Sequence, residues 1–157
     1  MATTNQHPPV IFRDQEADDA VIGSLLILDM FNEELYPEHG LNVVNIVNEV
    51  KSILQPGDFM GEREQRILRA MYALPPDMID YVTVALKMRE TKTIKDGDLV
   101  YLQDCADQTP TPRHVVYYAQ QVKDWSNRRK QMSEGQRLTT EAFRGKVSQP
   151  IKRGASL

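Results

Sequence analysis

The sequence predicts an all-α fold, a compact bundle of about six helices with a long projecting C-terminal helix. Apolar residues recur at three-and-four spacing in successive segments, the period of a helix face buried on a core. Pro37, Pro56-Gly57, Pro75-Pro76 and Pro110 separate those segments, as helix-ending residues do. At 157 residues the chain is one domain with tails, large enough to bury a core without disulfides or metal.

The first helix is the clearest. Asp14 can cap it, Gln15 and Glu16 sit in its first turn, and Ala17, Ala20, Val21, Ser24, Leu25 and Leu28 form one face. Gly23 lies mid-helix, either as a tolerated glycine or because another backbone approaches there. Asp18 and Asp19, on the opposite face, read as solubilising charge rather than an acid/base pair. Met30 to His39 is acidic and loses helical potential at Pro37. A second helix follows from about Leu41 to Leu54, with Val43, Ile46, Val47, Val50, Ile53 and Leu54 inward; its length and spacing favour helix over strand.

Gly61 to Leu74 reads as a third helix. Ile67, Ala70, Met71 and Leu74 face inward, and Glu62, Arg63, Glu64, Arg66 and Arg69 mostly outward. Asp80 caps a fourth helix containing Val82, Val84, Ala85, Leu86 and Met88, which loosens at Thr91-Lys92-Thr93. A fifth, Asp98 to about Asp107, buries Leu99, Leu102 and Ala106 with Cys105 beside them as a core thiol. Thr111 as cap and Pro112 at the first helical position open the sixth, with Val115, Tyr118, Ala119, Val122 and Trp125 on one face. Beyond Trp125 the apolar stripe thins, Gly135 is a candidate interruption, and the segment from Gly145 reads as linker or tail. The expected division is a flexible arm over 1–13, a helical core over 14–112, a last core helix extending into a hairpin-like arm over 113–144, and a tail over 145–157.

Charge is distributed unevenly. Up to Pro112 there are 9 basic and 19 acidic residues, and from Arg113 onward 10 and 3, so the two parts carry −10 and +7. The basic part suits nucleic acid or an acidic partner, and equally a solvated helix end. A single cysteine excludes an internal disulfide framework and fits a reducing, cytoplasmic setting. The polar start has no signal-peptide core, and no apolar run is long enough to span a membrane. His7, His39 and His114 are too dispersed for a metal site. Gly145-Lys146 is followed by Val147 and has no glycine five residues before it, so it is no P-loop. Neither G-x-G-x-x-G nor G-x-S-x-G occurs. These absences favour an interaction or assembly module over an enzyme.

Several segments then fall into one order. Pro8-Pro9 precedes EADDAVIGSLL from Glu16, followed by GDFM at Gly57–Met60 and REQRILRAMYAL at Arg63–Leu74. IDYVTVALKM at Ile79–Met88, DLVYLQDCADQTPT at Asp98–Thr111 and YYAQQV at Tyr117–Val122 complete the set. Each alone could be a helix of any bundle. Their joint order over roughly residues 8 to 130 resembles the N-terminal domain of bacterial replicative DNA helicases of the DnaB type. The spacing from Pro9 to Glu16 is longer than the family pattern, and Asn32 to Pro56 matches it poorly.

The resemblance implies a non-catalytic collar. In the family the last globular helix continues into an antiparallel hairpin, hairpins of neighbouring subunits pair, and a trimer of dimers crowns a hexameric motor and docks primase, DnaG. It further implies that ATP and magnesium belong to a RecA-like motor domain, which would follow beyond a return arm and is not in this chain. Val122, Trp125, Arg129 and Met132 are then the candidate oligomer interface. The chain is either part of a longer helicase or a stand-alone adaptor or inhibitor of the hexamer. A competing function is nucleic-acid binding by the basic part, through Lys123, Arg128, Arg129, Lys130 and Arg137, with Trp125 and Tyr117 stacking on bases. No catalytic residue, cofactor site or metal ligand is expected in the chain itself.

Overall fold

The computed structural model describes residues 13–148, so the arm expected over 1–13, apart from Arg13, and the end of the expected tail, 149–157, lie outside the described residues. Six α-helices follow in order: α1 (Gln15–Ile27), α2 (Val43–Ile53), α3 (Glu62–Tyr72), α4 (Tyr81–Glu90), α5 (Asp98–Gln108) and α6 (Val115–Ser148). Short 3-10 turns occupy Leu28–Phe31, Pro56–Asp58 and Pro76–Met78, and no strand occurs among the described residues. The all-α prediction and the long last helix are both realised.

Caps and breakers set the boundaries. Asp14 Oδ1 accepts from the Ala17 N–H at 3.1 Å, and Asn42 Oδ1 from the Asn45 N–H at 3.0 Å. At α4, Asp80 and Thr83 cap each other: the Thr83 N–H donates to Asp80 Oδ1 at 2.8 Å, and the Asp80 N–H donates to Thr83 Oγ1 at 2.9 Å. The opening of α6 differs from expectation. Pro112 to His114 form a turn in which Thr111 Oγ1 accepts from the Arg113 N–H at 3.2 Å, and the helix begins at Val115. Gly135 does not interrupt α6, which runs on through the first residues of the expected tail to Ser148.

The chain divides into two compact units, residues 1–126 and 127–157. In the first, α1 is the central element: Val21, Ile22, Gly23, Ser24, Leu25 and Leu26 are all buried, so the second half of the helix is enclosed on every side rather than along one face, while Gln15 and Glu16 in the first turn are exposed. Val47 and Val50 of α2, Ile67, Leu68 and Met71 of α3, Val84 and Met88 of α4, Leu102 of α5 and Val115, Ala119 and Val122 of α6 complete the core. In the second unit every described residue from Asn127 to Arg144 except Arg129 is exposed.

Gly23 has a specific steric cause. A Cβ there would lie 2.1 Å from Thr109 Oγ1 and 2.2 Å from the Cys105 carbonyl oxygen, so the end of α5 rests directly on the α1 backbone. The Thr109 hydroxyl donates to that same Cys105 carbonyl at 2.7 Å, holding both atoms in place. Gly23→Ala should therefore destabilise the domain by about 1–3 kcal/mol, the usual range for overpacking. Gly135→Ala, with nothing within 4 Å of its Cβ, should cause no such loss. Urea unfolding of the two variants beside the wild type checks this.

Candidate functional site

The surface available for function is what remains after the chain has paired its own charges. α3 and α5 share the tightest pairing. Asp98, completely buried, accepts from Arg66 Nη1 at 2.5 Å and Nη2 at 3.2 Å, from Arg63 Nε at 3.1 Å, and from the Lys95 N–H at 2.8 Å. Burial pushes its pKa up. The Arg66 hydrogen bonds, the Lys95 N–H and the two guanidinium charges outweigh that and hold it below the usual carboxylate range. Arg66 also donates to the Thr93 carbonyl at 2.8 Å and to Glu62 at 2.9 Å. The outward orientation expected for Arg66 and Glu64 is thus corrected: both are buried, because each has a charged partner on another element.

A second pairing fastens the start of α1. Arg13 Nε donates to Asp18 Oδ2 at 2.8 Å, and its Nη2 contacts both Asp18 and Glu64 of α3. Asp18 is therefore not solubilising charge, being buried, and Asp19 beside it accepts from the Tyr101 hydroxyl of α5 at 2.6 Å. Burial raises Asp18 to about 6, more than Arg13 lowers it.

The third pairing seats α6. Asp58, in the turn before α3, accepts from Ser126 Oγ at 2.8 Å, from Lys123 Nζ at 3.2 Å and from the Gln55 N–H at 2.7 Å. Burial raises the Asp58 pKa, but these three donors together bring it below the usual range. Ser126 lies at the buried face of α6 with Ala119 and Val122, and Trp125 is only half-buried.

The candidate interface residues are placed as follows. Val122 is buried and Trp125 half-buried in the first unit; Arg129 is half-buried and Met132 exposed in the second. Met132 is accompanied by exposed Leu138 and Phe143. Among the basic candidates, Lys123 is engaged by Asp58, and Arg137 pairs with Glu134 at 2.5 Å and Glu141 at 2.6 Å. Arg128 and Lys130 are exposed. Tyr117 is exposed, edge-on to Tyr118 with ring centroids 5.9 Å apart, beside a cleft of about 470 Å³ that Asp14, Asp19, Thr111 and Gln121 also line. Cys105 is buried as expected, with burial pushing its thiol up to about 12. Among the described residues no group of three His, Cys, Asp or Glu side chains could hold a metal ion, and no helix is long and apolar enough to cross a membrane.

The pairings give a pH signature. Asp18 has a folded pKa of about 6 against an ordinary 3.8, so its protonation favours the folded state: that contribution is complete below 3.8 and is lost as pH rises through about 6. Asp58 and Asp98 act oppositely, stabilising above the ordinary value and ceasing to do so as pH falls through their depressed pKa values. Urea midpoints measured across this range should show a gain for the wild type between about pH 7 and pH 5 that Asp18→Asn lacks, and a loss for both below about pH 4.

Comparison with known proteins agrees with this architecture. Residues 41–124, more than half of the chain, match the family model of the DnaB-like helicase N terminal domain. The chain is 31% identical over 114 residues to the replicative DNA helicase DnaC of Bacillus subtilis (strain 168), covering 71% of this chain and 22% of that protein. It is 34% identical over 77 residues to the replicative DNA helicase DnaB of Geobacillus stearothermophilus, covering 47% of this chain and 17% of that protein. The chain thus spans less than a quarter of the length of either relative. In fold it is similar to the N-terminal domain of DnaB helicase from Mycobacterium tuberculosis, with a TM-score of 0.67 at 23% identity over 83% of this chain and 86% of that one. The ordered helices, the family match and the curated relatives agree: this chain belongs to the DnaB-like helicase N-terminal domain family.

Proposed function

We propose that the chain is a non-catalytic collar domain of a cytoplasmic replicative DNA helicase, joining subunits to one another and offering a docking surface to primase, DnaG. The observation that carries this reading is the second unit. A helix whose described residues are almost all exposed gains little from packing within its own chain, and Met132, Leu138 and Phe143 display apolar surface along it. Val122, expected on the interface, is instead buried in the chain's own core, which leaves Trp125, Arg129 and Met132, at four-three spacing along α6, as the candidate seam by which two helices pair. A second copy of the chain, as a dimer or within a trimer of dimers, would cover that surface. In this reading ATP and magnesium act in a motor domain of the parent helicase, and the collar holds neither.

Nucleic-acid binding by the basic part is less well supported by the geometry. Lys123 and Arg137 already meet carboxylates of this chain. Any phosphate contact would weaken steeply with salt.

Light scattering over a concentration series tests the assembly reading. The full chain should show a mass that rises towards a dimer. The rise should vanish in Met132→Glu and in a chain ending at Lys130. A strict monomer at high concentration, together with no binding to primase, would overturn the proposal.

A further inference from the structure

A second surface, independent of the assembly seam, is built from the segment that joins α1 to α2. The backbone closes this segment into a tight loop. The Leu41 N–H donates to the Phe31 carbonyl at 2.7 Å and the Glu33 N–H to the Leu41 carbonyl at 2.9 Å, so both ends meet. The Tyr36 N–H donates to the Asn32 carbonyl at 3.0 Å, the Gly40 N–H returns to the Tyr36 carbonyl at 2.6 Å, and Asn32 Oδ1 accepts from the Glu34 N–H at 2.8 Å. A Cβ on Gly40 would lie 2.2 Å from Glu33 Cα, so the two sides of the loop touch. Loops closed this way hold their side chains in fixed positions and frequently serve recognition.

The loop and its flanks display large apolar side chains. Leu35 is 65% exposed and Tyr36 55%, with Met30 (65%) just before the loop and Val44 (42%) just after it. Four large exposed apolar side chains thus fall within fifteen residues, at and beside one closed loop. Beside them Asp29, Glu33, Glu34 and Asp77 line a cleft of about 500 Å³. No lysine or arginine occurs between Arg13 and Lys51. On the far side of the loop, Arg113 turns its guanidinium to the His39 carbonyl at 3.2 Å. The family match begins only at residue 41, so most of this loop lies outside the span that the family model describes.

We propose that the Asn32–Leu41 loop and the cleft beside it form a docking face for a cationic, amphipathic segment of a partner protein. The charge decides the class of partner. Four carboxylates around the cleft repel a phosphate backbone and attract lysine and arginine. The exposed leucine, tyrosine and methionine supply the apolar anchors that an amphipathic helix needs on its other face.

The test uses the full chain and a labelled short peptide of leucine and lysine, patterned as an amphipathic helix, read by fluorescence anisotropy. Its control is a counterpart with glutamate in place of lysine. Binding of the lysine peptide should weaken about tenfold in Leu35→Ser/Tyr36→Ser and in Glu33→Gln/Glu34→Gln, and stay unchanged in Val82→Ser/Leu86→Ser, which alters equally exposed apolar residues of α4. The perturbed amides in a ¹H–¹⁵N spectrum should fall between residues 29 and 45. All substituted side chains are exposed or in the loop, and melting curves establish that each variant is folded. Absence of binding, equal binding of the glutamate peptide, or an equal loss in the α4 variant would overturn the proposal. So would self-association that Leu35→Ser/Tyr36→Ser abolishes without affecting the peptide, which assigns the face to a second copy.

Discussion

A carboxylate with no exposed surface, Asp98, ties α5 to α3 beside the core. It stands at the start of α5 and takes two of the three arginines of α3, Arg63 and Arg66, so these helices are tied to one another by charge. Removing such a charge from water carries a penalty of several kcal/mol, recovered only when every oxygen is met by donors. Here both oxygens are met. With α5 fixed in this way, its far end lies across Gly23, and α1 is enclosed. The Arg13 contact to Asp18 and Glu64 and the Asp58 contact to Lys123 and Ser126 repeat the same device at the start of α1 and at α6.

This internal pairing shapes where function can lie. Asp18 and Asp19 of α1 and Glu62, Arg63, Glu64 and Arg66 of α3 are engaged within the first unit, as are Lys123 and Asp58. Two surfaces are left for recognition: the exposed helix of the second unit, with scattered large side chains among charges of both signs, and the acidic loop between α1 and α2. They differ in charge, and so suit different occupants.

Much of the architecture was legible in the sequence because caps and apolar period act locally. Asp14, Asp80, Pro56 and Pro75 mark boundaries by chemistry that depends on neighbours three or four residues away. Val47, Val50, Ile67 and Met71 follow from spacing alone. Asp18, Glu64 and Arg66 were misplaced for the opposite reason. Their burial depends on partners such as Arg13 and Asp98, brought together by the tertiary fold, and a helical period assigns charged residues to solvent by default. Gly23 was half legible: its position mid-helix signals a close approach, but only the folded chain shows that Thr109 and Cys105 fill the space. On α6, Val115, Ala119 and Val122 are buried as the spacing predicts, and only at the end of the face does Ser126, bonded to Asp58, take the fully buried position while Trp125 is half-buried. The order of segments carried the family, whereas the loop from Asn32 to Leu41, which matches poorly, carried no such signal.

The most direct measurement is a double-mutant cycle at the joint between α3 and α5, with Arg66→Met, Asp98→Asn and the pair followed by urea unfolding. Each single change leaves a charge or polar group buried without its partner and should cost about 3–5 kcal/mol. The double variant should lose much less than the sum, giving a coupling of about 2–3 kcal/mol. Additive losses, or single losses near zero, would show that Asp98 and its arginines do not hold the core together.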